Sequence, residues 1–67
     1  MQKLSSREVE IISHTAVGLT AKEIARMTGL EPRTVQAYMG NIKKKLGAKN
    51  SAHAIYIALT SQFICLT

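Results

Sequence analysis

Apolar residues recur along this chain at intervals of three and four, the spacing of an amphipathic helix. Three short breaks rich in glycine and polar residues divide the pattern into four segments. The first covers residues 6–17, with Ile11, Ile12, Thr15, Ala16 and, just beyond it, Leu19 on the inward face. Gly18 suits the left-handed conformation that ends a helix. Ahead of this segment, Ser5-Ser6-Arg7-Glu8 has the Ser-x-x-Glu form of a capping box. There the hydroxyl accepts from an early backbone N–H while the carboxylate reaches back. Thr20-Ala21-Lys22-Glu23 repeats the device before a shorter segment, residues 21–27, whose inward positions are Ile24, Ala25 and Thr28. Gly29 stops that segment, and Leu30 can fold back onto the core. The third segment covers residues 32–46, with Glu31 as N-cap and Gly47 at its end. Pro32 takes the first helical position, where a missing N–H costs nothing. The fourth covers residues 51–62, capped by Asn50 or Ser51, with an inner stripe of Ala54, Ile55, Ala58 and Leu59. Residues 63–67 are largely apolar and receive no assignment. The expectation is an all-α, four-helix domain.

A short helix, a turn of about four residues containing glycine and then a longer helix is the helix-turn-helix arrangement. Many unrelated helical proteins contain such turns, so the chemistry of the longer helix decides more. At about 100° per residue, Val35, Tyr38, Met39, Ile42 and Leu46 fall on one side of the third segment. Arg33, Gln36, Ala37, Gly40 and Lys44 fall on the other, with Thr34, Asn41, Lys43 and Lys45 along the borders. The first face is a core stripe. The second joins long hydrogen-bonding side chains to small ones that permit close approach, which suits a helix entering a major groove. Arg matches the acceptor pair of guanine and Gln the edge of adenine. Lys43, Lys44 and Lys45 are placed to contact phosphates, which position a helix without reading sequence. The same residues could equally form an ordinary solvated face. Gly40 costs about 1 kcal/mol in mid-helix relative to Ala. It marks either an exposed position or a close approach to DNA or to another helix.

Charge sharpens this picture. Residues 1–31 carry Lys3, Arg7, Lys22 and Arg26 against Glu8, Glu10, Glu23 and Glu31, a net of zero. Arg33, Lys43, Lys44, Lys45 and Lys49 follow with no acid, so the whole net charge of +5 lies in the second half. Such a patch concentrates polyanions nearby. At 67 residues the chain is expected to be one domain, residues 1–67 with a core of about 4–62. Its three aromatics, Tyr38, Tyr56 and Phe63, fit a helical bundle better than a sandwich. The lone Cys65 excludes an internal disulfide and has no basic neighbour in sequence to activate it. No signal-peptide or membrane-spanning pattern is visible, so a cytoplasmic protein with no membrane association is expected. His14 and His53 are read as surface residues without metal-ligand spacing, and the glutamates as capping and surface groups. No enzyme, metal or cofactor is expected.

The ordered fragments resemble a known family. Leu4-Ser5-Ser6-Arg7-Glu8 with Ile11-Ile12 is similar to the opening of the LuxR-type, or GerE-like, helix-turn-helix domain. Residues 16–25, Ala16 to Ala25, resemble its central signature. Pro32-Arg33-Thr34-Val35, Asn41-Ile42 and Lys45-Leu46-Gly47 resemble its recognition helix, and Ala54 and Ala58 its fourth helix. The resemblance implies a four-helix domain whose third helix enters the major groove of double-stranded DNA. It implies base contacts at Gln36, Ala37 and Gly40, and backbone contacts at Thr20, Lys22, Thr34, Lys44 and Lys45. It also implies a homodimer through helix four, around Ala52, Tyr56 and Ile57, with RNA polymerase a further partner of such regulators. Tyr38 stands where the family usually has His, Thr28 for a core Leu, Glu31 for a Ser or Thr cap, and Ser51 for an Arg. With little hydrogen bonding from Ala37 and Gly40, discrimination rests on Arg33 and Gln36, on thymine-methyl contact, or on DNA shape. The chain is read as a transcription regulator or its output domain. The rivals are a module that pairs with and inhibits a larger regulator of the same family, and a nonspecific nucleic-acid binder driven by the lysines.

Overall fold

Four helices make up the computed structural model, which describes residues 4–61: α1 (Ser6–Ala16), α2 (Ala21–Thr28), α3 (Pro32–Leu46) and α4 (Ser51–Thr60). Both expected capping boxes form. Glu8 N donates to the Ser5 hydroxyl at 3.2 Å while Ser5 N donates to Glu8 Oε1 at 2.8 Å. Thr20 and Glu23 repeat the pair at 3.2 and 2.8 Å. Each box satisfies two backbone groups that the first helical turn leaves without an internal partner. Asn50 caps α4, accepting from His53 N at 2.8 Å, and the His53 ring answers by accepting at Nδ1 from Lys49 N at 3.1 Å. His53 is therefore part of a cap, where a plain surface residue was expected. Glu31 is the N-cap of α3 by position, but its side chain makes no cap bond.

The α2–α3 turn is the hinge of the architecture. Gly29 adopts the left-handed conformation at φ 74°, which a residue with a Cβ enters at a cost. Leu30 N then donates back to Ala25 O at 3.1 Å, and the Leu30 side chain packs against the core. Thr28, in place of a larger apolar residue, satisfies its hydroxyl on Ile24 O at 2.8 Å.

The core is aliphatic and thin. Ile11, Ile12, Ile24, Val35 and Ile42 are sealed from solvent, joined by Ala25, Met39, Ala54 and Ala58. α3 packs against each of the other three helices. α4 contributes only small side chains at the centre of its buried face, since Ala54 and Ala58 are both fully buried. Small residues let its backbone come close to α1 and α3, and this turns the helix relative to the expected stripe. Leu59, expected inside, is 39% exposed. Ile55 packs at the edge of the core. Residues 62–67, including the apolar tail, lie outside the described residues.

Val35 is 1% exposed and surrounded by this core. Val35→Asp would bury an unpaired charge, a cost of several kcal/mol that a domain of this size cannot absorb. The variant should lose its cooperative thermal transition and its helical far-ultraviolet signal. A variant that melts cooperatively would place Val35 outside the core.

Candidate nucleic-acid interface

With one side of α3 fixed in the core, the other is left bare. Arg33, Gln36, Ala37 and Lys44 are exposed, and Gly40 is half-exposed between them. Thr34 and Lys43 are half-buried at the margins. Gly40 has ordinary helical geometry, and a Cβ built there would meet nothing within 4 Å. The packing of the free domain thus does not require glycine at this position.

α2 presents its N-terminus with Thr20 and Lys22, both exposed. Thr20 Oγ1 accepts a backbone N–H within the capping box, which leaves its own hydroxyl proton free to donate outward. On one flank of α3, a cleft of about 250 Å³ is lined by Leu19, Ala21, Ile24, Val35 and Met39, with Gln36 and Lys43 among its polar groups. On α3 itself, a shallower hollow of about 340 Å³ is lined by Thr34, Ala37, Tyr38 and Asn41.

Lys45 behaves differently from its neighbours. Its ammonium lies 2.7 Å from Glu8 Oε1 at the start of α1, and the Glu8 side chain is only 6% exposed. The same carboxylate oxygen accepts the Ser5 backbone N–H. Glu8 was expected to be a capping group at the surface; it caps, but it is buried and ion-paired as well. Lys45, expected on the phosphates, is engaged inside the domain. The wheel signalled this weakly, by placing Lys45 on the border, and a partner 37 residues away is invisible to helical periodicity.

Burial raises the pKa of Glu8 and is the largest single influence. The hydrogen bond and charge of Lys45, with the two bonds from Ser5, together outweigh it and hold the carboxyl below the usual glutamate range. Glu23 also lies below that range, through the Thr20 backbone N–H and then its hydroxyl.

α4 presents Ala52 and Tyr56 outward, Tyr56 at 64% exposed. Leu59 shares their face, whereas Ile57 lies about 100° around from Tyr56 and is half-buried. Among the described residues there is no group of three metal-ligating side chains, and no helix is long and apolar enough to cross a membrane.

The family of bacterial regulatory proteins called luxR matches residues 2–58. The chain belongs to the LuxR family. It is 41% identical over 61 residues to the transcriptional activator protein YukR of Yersinia ruckeri, covering 91% of this chain and 27% of that protein. It is 36% identical over 63 residues to the transcriptional regulatory protein FixJ of Rhizobium meliloti, covering 94% and 31%. The chain thus spans between a quarter and a third of the length of these relatives. Among solved structures, a VqmA–ligand–DNA complex from Vibrio cholera superposes with a TM-score of 0.85 at 32% identity, covering 94% of this chain and 28% of that one. VqmA bound to DPO gives 0.83, also at 32% identity, over 90% of this chain and 30% of that one. The fold is the LuxR-type helix-turn-helix, with α2 and α3 as its two named helices.

The lowered pKa of Glu8 has a definite sign in stability. Because the folded value lies below that of the unfolded chain, the contribution is fully present above about pH 4.5 and is lost as pH falls through the folded value. Thermal midpoints should fall as the pH drops below about 4.5, and Glu8→Gln should flatten part of that fall. Parallel profiles for the two proteins would remove Glu8 as a source.

Proposed function

We propose that this LuxR-family domain binds double-stranded DNA sequence-selectively, with α3 in the major groove, as a transcription regulator or the output part of one. The observation that carries the reading is the bare face of α3. Arg33, Gln36 and Ala37 stand clear of the fold beside a half-exposed Gly40, on a helix whose opposite side is core. A major groove about 12 Å wide admits one such helix. Lys22 and Thr20 on α2, with Thr34, Lys43 and Lys44 on α3, are the groups for phosphate contact. Lys45 is reassigned to holding α3. The DNA complex of VqmA, whose corresponding part has the same fold, supports this reading.

The outward face of α4 is the surface proposed for pairing two copies, through Ala52, Tyr56 and Leu59, with Ile57 at its flank. Pairing there would match a two-fold symmetric site. The domain is proposed to work in the cytoplasm, without catalysis or cofactor, in regulators that act on RNA polymerase. The rival reading, inhibition of a larger relative by pairing, is not favoured, because the relatives are transcriptional regulators and a structural neighbour is a DNA complex.

Selection of bound duplexes from a random pool tests the proposal. The expected result is an enriched motif with two-fold symmetry. In Gln36→Ala, the best site alone should weaken, by about 1–3 kcal/mol. Binding with no enriched motif, or no binding, would overturn sequence-selective recognition.

Lys44 and Lys45 should separate cleanly in a salt titration of binding. Lys44→Ala should reduce the slope of log K against log salt by about 0.9, the value for one phosphate contact. Lys45→Met should leave the slope unchanged and instead lower stability by about 1–3 kcal/mol. Partial exposure of Lys45 keeps that below the roughly 3–5 kcal/mol of breaking a fully buried pair. Equal slope changes would return Lys45 to the phosphates.

A further inference from the structure

Two amide side chains stand on the exposed side of α3, and only one of them, Gln36, has been given a reading role. At about 100° per residue, Asn41 falls about 40° from Ala37, whereas Gln36 falls about 100° away. The buried stripe runs through Val35, Met39 and Ile42, so Ala37 lies close to the middle of the opposite, solvent-facing side. Asn41 is therefore nearer the centre of the presented face than Gln36. Both side chains are exposed. Among the described residues, its carboxamide makes no hydrogen bond within the chain. It thus keeps both a donor and an acceptor for an external partner.

Asn41 also lines the hollow of about 340 Å³ that runs along α3 with Thr34, Ala37 and Tyr38. This hollow combines two kinds of surface. The Ala37 methyl and the Tyr38 ring are apolar, and Tyr38 is held in place by packing against the core. The Thr34 hydroxyl and the Asn41 carboxamide are polar. An A·T pair offers the matching combination in the major groove: an acceptor and a donor on adenine, and a methyl group on thymine. A carboxamide can bond adenine N7 and N6 together, while small apolar groups take the thymine methyl. A G·C pair has no methyl, and guanine offers two acceptors to a group that can give them only one matched pair.

We infer that Asn41 is a specificity-determining residue, reading an adenine in the major groove, with Ala37 and Tyr38 receiving the methyl of a thymine in the same hollow. The inference rests on the DNA-binding reading above. It assigns the A·T preference to Asn41 and leaves Gln36 to a different base pair, on the opposite flank of the helix. Thr34 shapes the hollow and stays available to a phosphate oxygen.

The test is random-pool selection with the wild-type domain, Asn41→Ala, Asn41→Asp and Gln36→Ala, alongside thermal melts of each. Because Asn41 is exposed, all variants should melt near the wild type. The wild type should enrich a half-site containing a fixed A·T pair. Asn41→Ala should lose that preference alone, keep the rest of the motif, and weaken the best site by roughly 5- to 150-fold. Asn41→Asp should favour cytosine there, because a carboxylate accepts from the cytosine amino group. Gln36→Ala should disturb a different position. An Asn41→Ala motif identical to the wild type would overturn the assignment, and so would equal weakening on every duplex, the mark of a phosphate contact. A wild type that enriches no motif would sink the DNA-reading proposal itself, a result separable from failure at Asn41 alone.

Discussion

One buried oxygen atom adds a directional tie to the apolar packing that holds α3. Glu8 Oε1 accepts the Ser5 backbone N–H at 2.8 Å and the Lys45 ammonium at 2.7 Å. The first bond starts α1; the second ties that start to the last turn of α3. Hydrophobic contact is non-directional, so Val35, Met39 and Ile42 alone would let α3 slide or roll slightly against α1. A short charged bond at the far end of the helix restricts that roll. The groups on the opposite face of α3 share in this restriction, so the ion pair bears on the proposed interface from behind it.

Economy at the core has a consequence on the surface. α4 buries Ala54 and Ala58 at the centre of its inner face, which lets it approach closely but takes up little apolar area. Its larger apolar residues go elsewhere: Ile55 to the edge of the core, Tyr56 and Leu59 outward. A helix that spends its small residues inside and its large ones outside is poorly amphipathic as a lone surface helix. It makes better sense as a helix between two contacts, one with its own domain and one with a second copy. That is the physical case for pairing through α4, and it moves the centre of the proposed surface from Ile57 toward Leu59.

Local signals are legible in the sequence because they are local. Ser5 with Glu8 and Thr20 with Glu23 are three residues apart, and both boxes form. Gly29 and Gly47 end their helices at positive φ, as short-range chemistry requires. What escaped was tertiary. Glu8 looked like a finished capping group, and nothing near it in sequence pointed to Lys45. A stripe through Ala54, Ile55, Ala58 and Leu59 puts the larger residues at the buried centre; in the fold the alanines take that place. His53 has no metal-ligand spacing to mark it, yet at the third position of α4 its ring accepts from Lys49 N, one residue ahead of the cap, where Glu8 and Glu23 accept from the cap residue itself. Asn41 lies on a border of the face drawn from sequence, and the buried stripe of Val35, Met39 and Ile42 moves the centre of the opposite face toward it.

The redistribution of Lys45 bears on how such a domain would hold DNA. The second half of the chain carries five cations, Arg33, Lys43, Lys44, Lys45 and Lys49, and Glu8 neutralises one of them. Of the four left, Arg33, Lys43 and Lys44 lie on α3, and Lys22 on α2 joins them from the first half. A handful of phosphate contacts gives only modest electrostatic affinity, and a single groove-reading module buries about 600–1,000 Å². Both quantities lie at the low end for a specific protein–DNA interface. Two copies joined through Tyr56 and Leu59 would double the cations and the base contacts on one duplex. The second α3 would then bind at the raised effective concentration set by the first. In the proposed complex, therefore, the apolar face of α4 and the polar face of α3 are not separate features. On that proposal, a recognition helix with few charges would be held on the duplex by the partner that α4 brings.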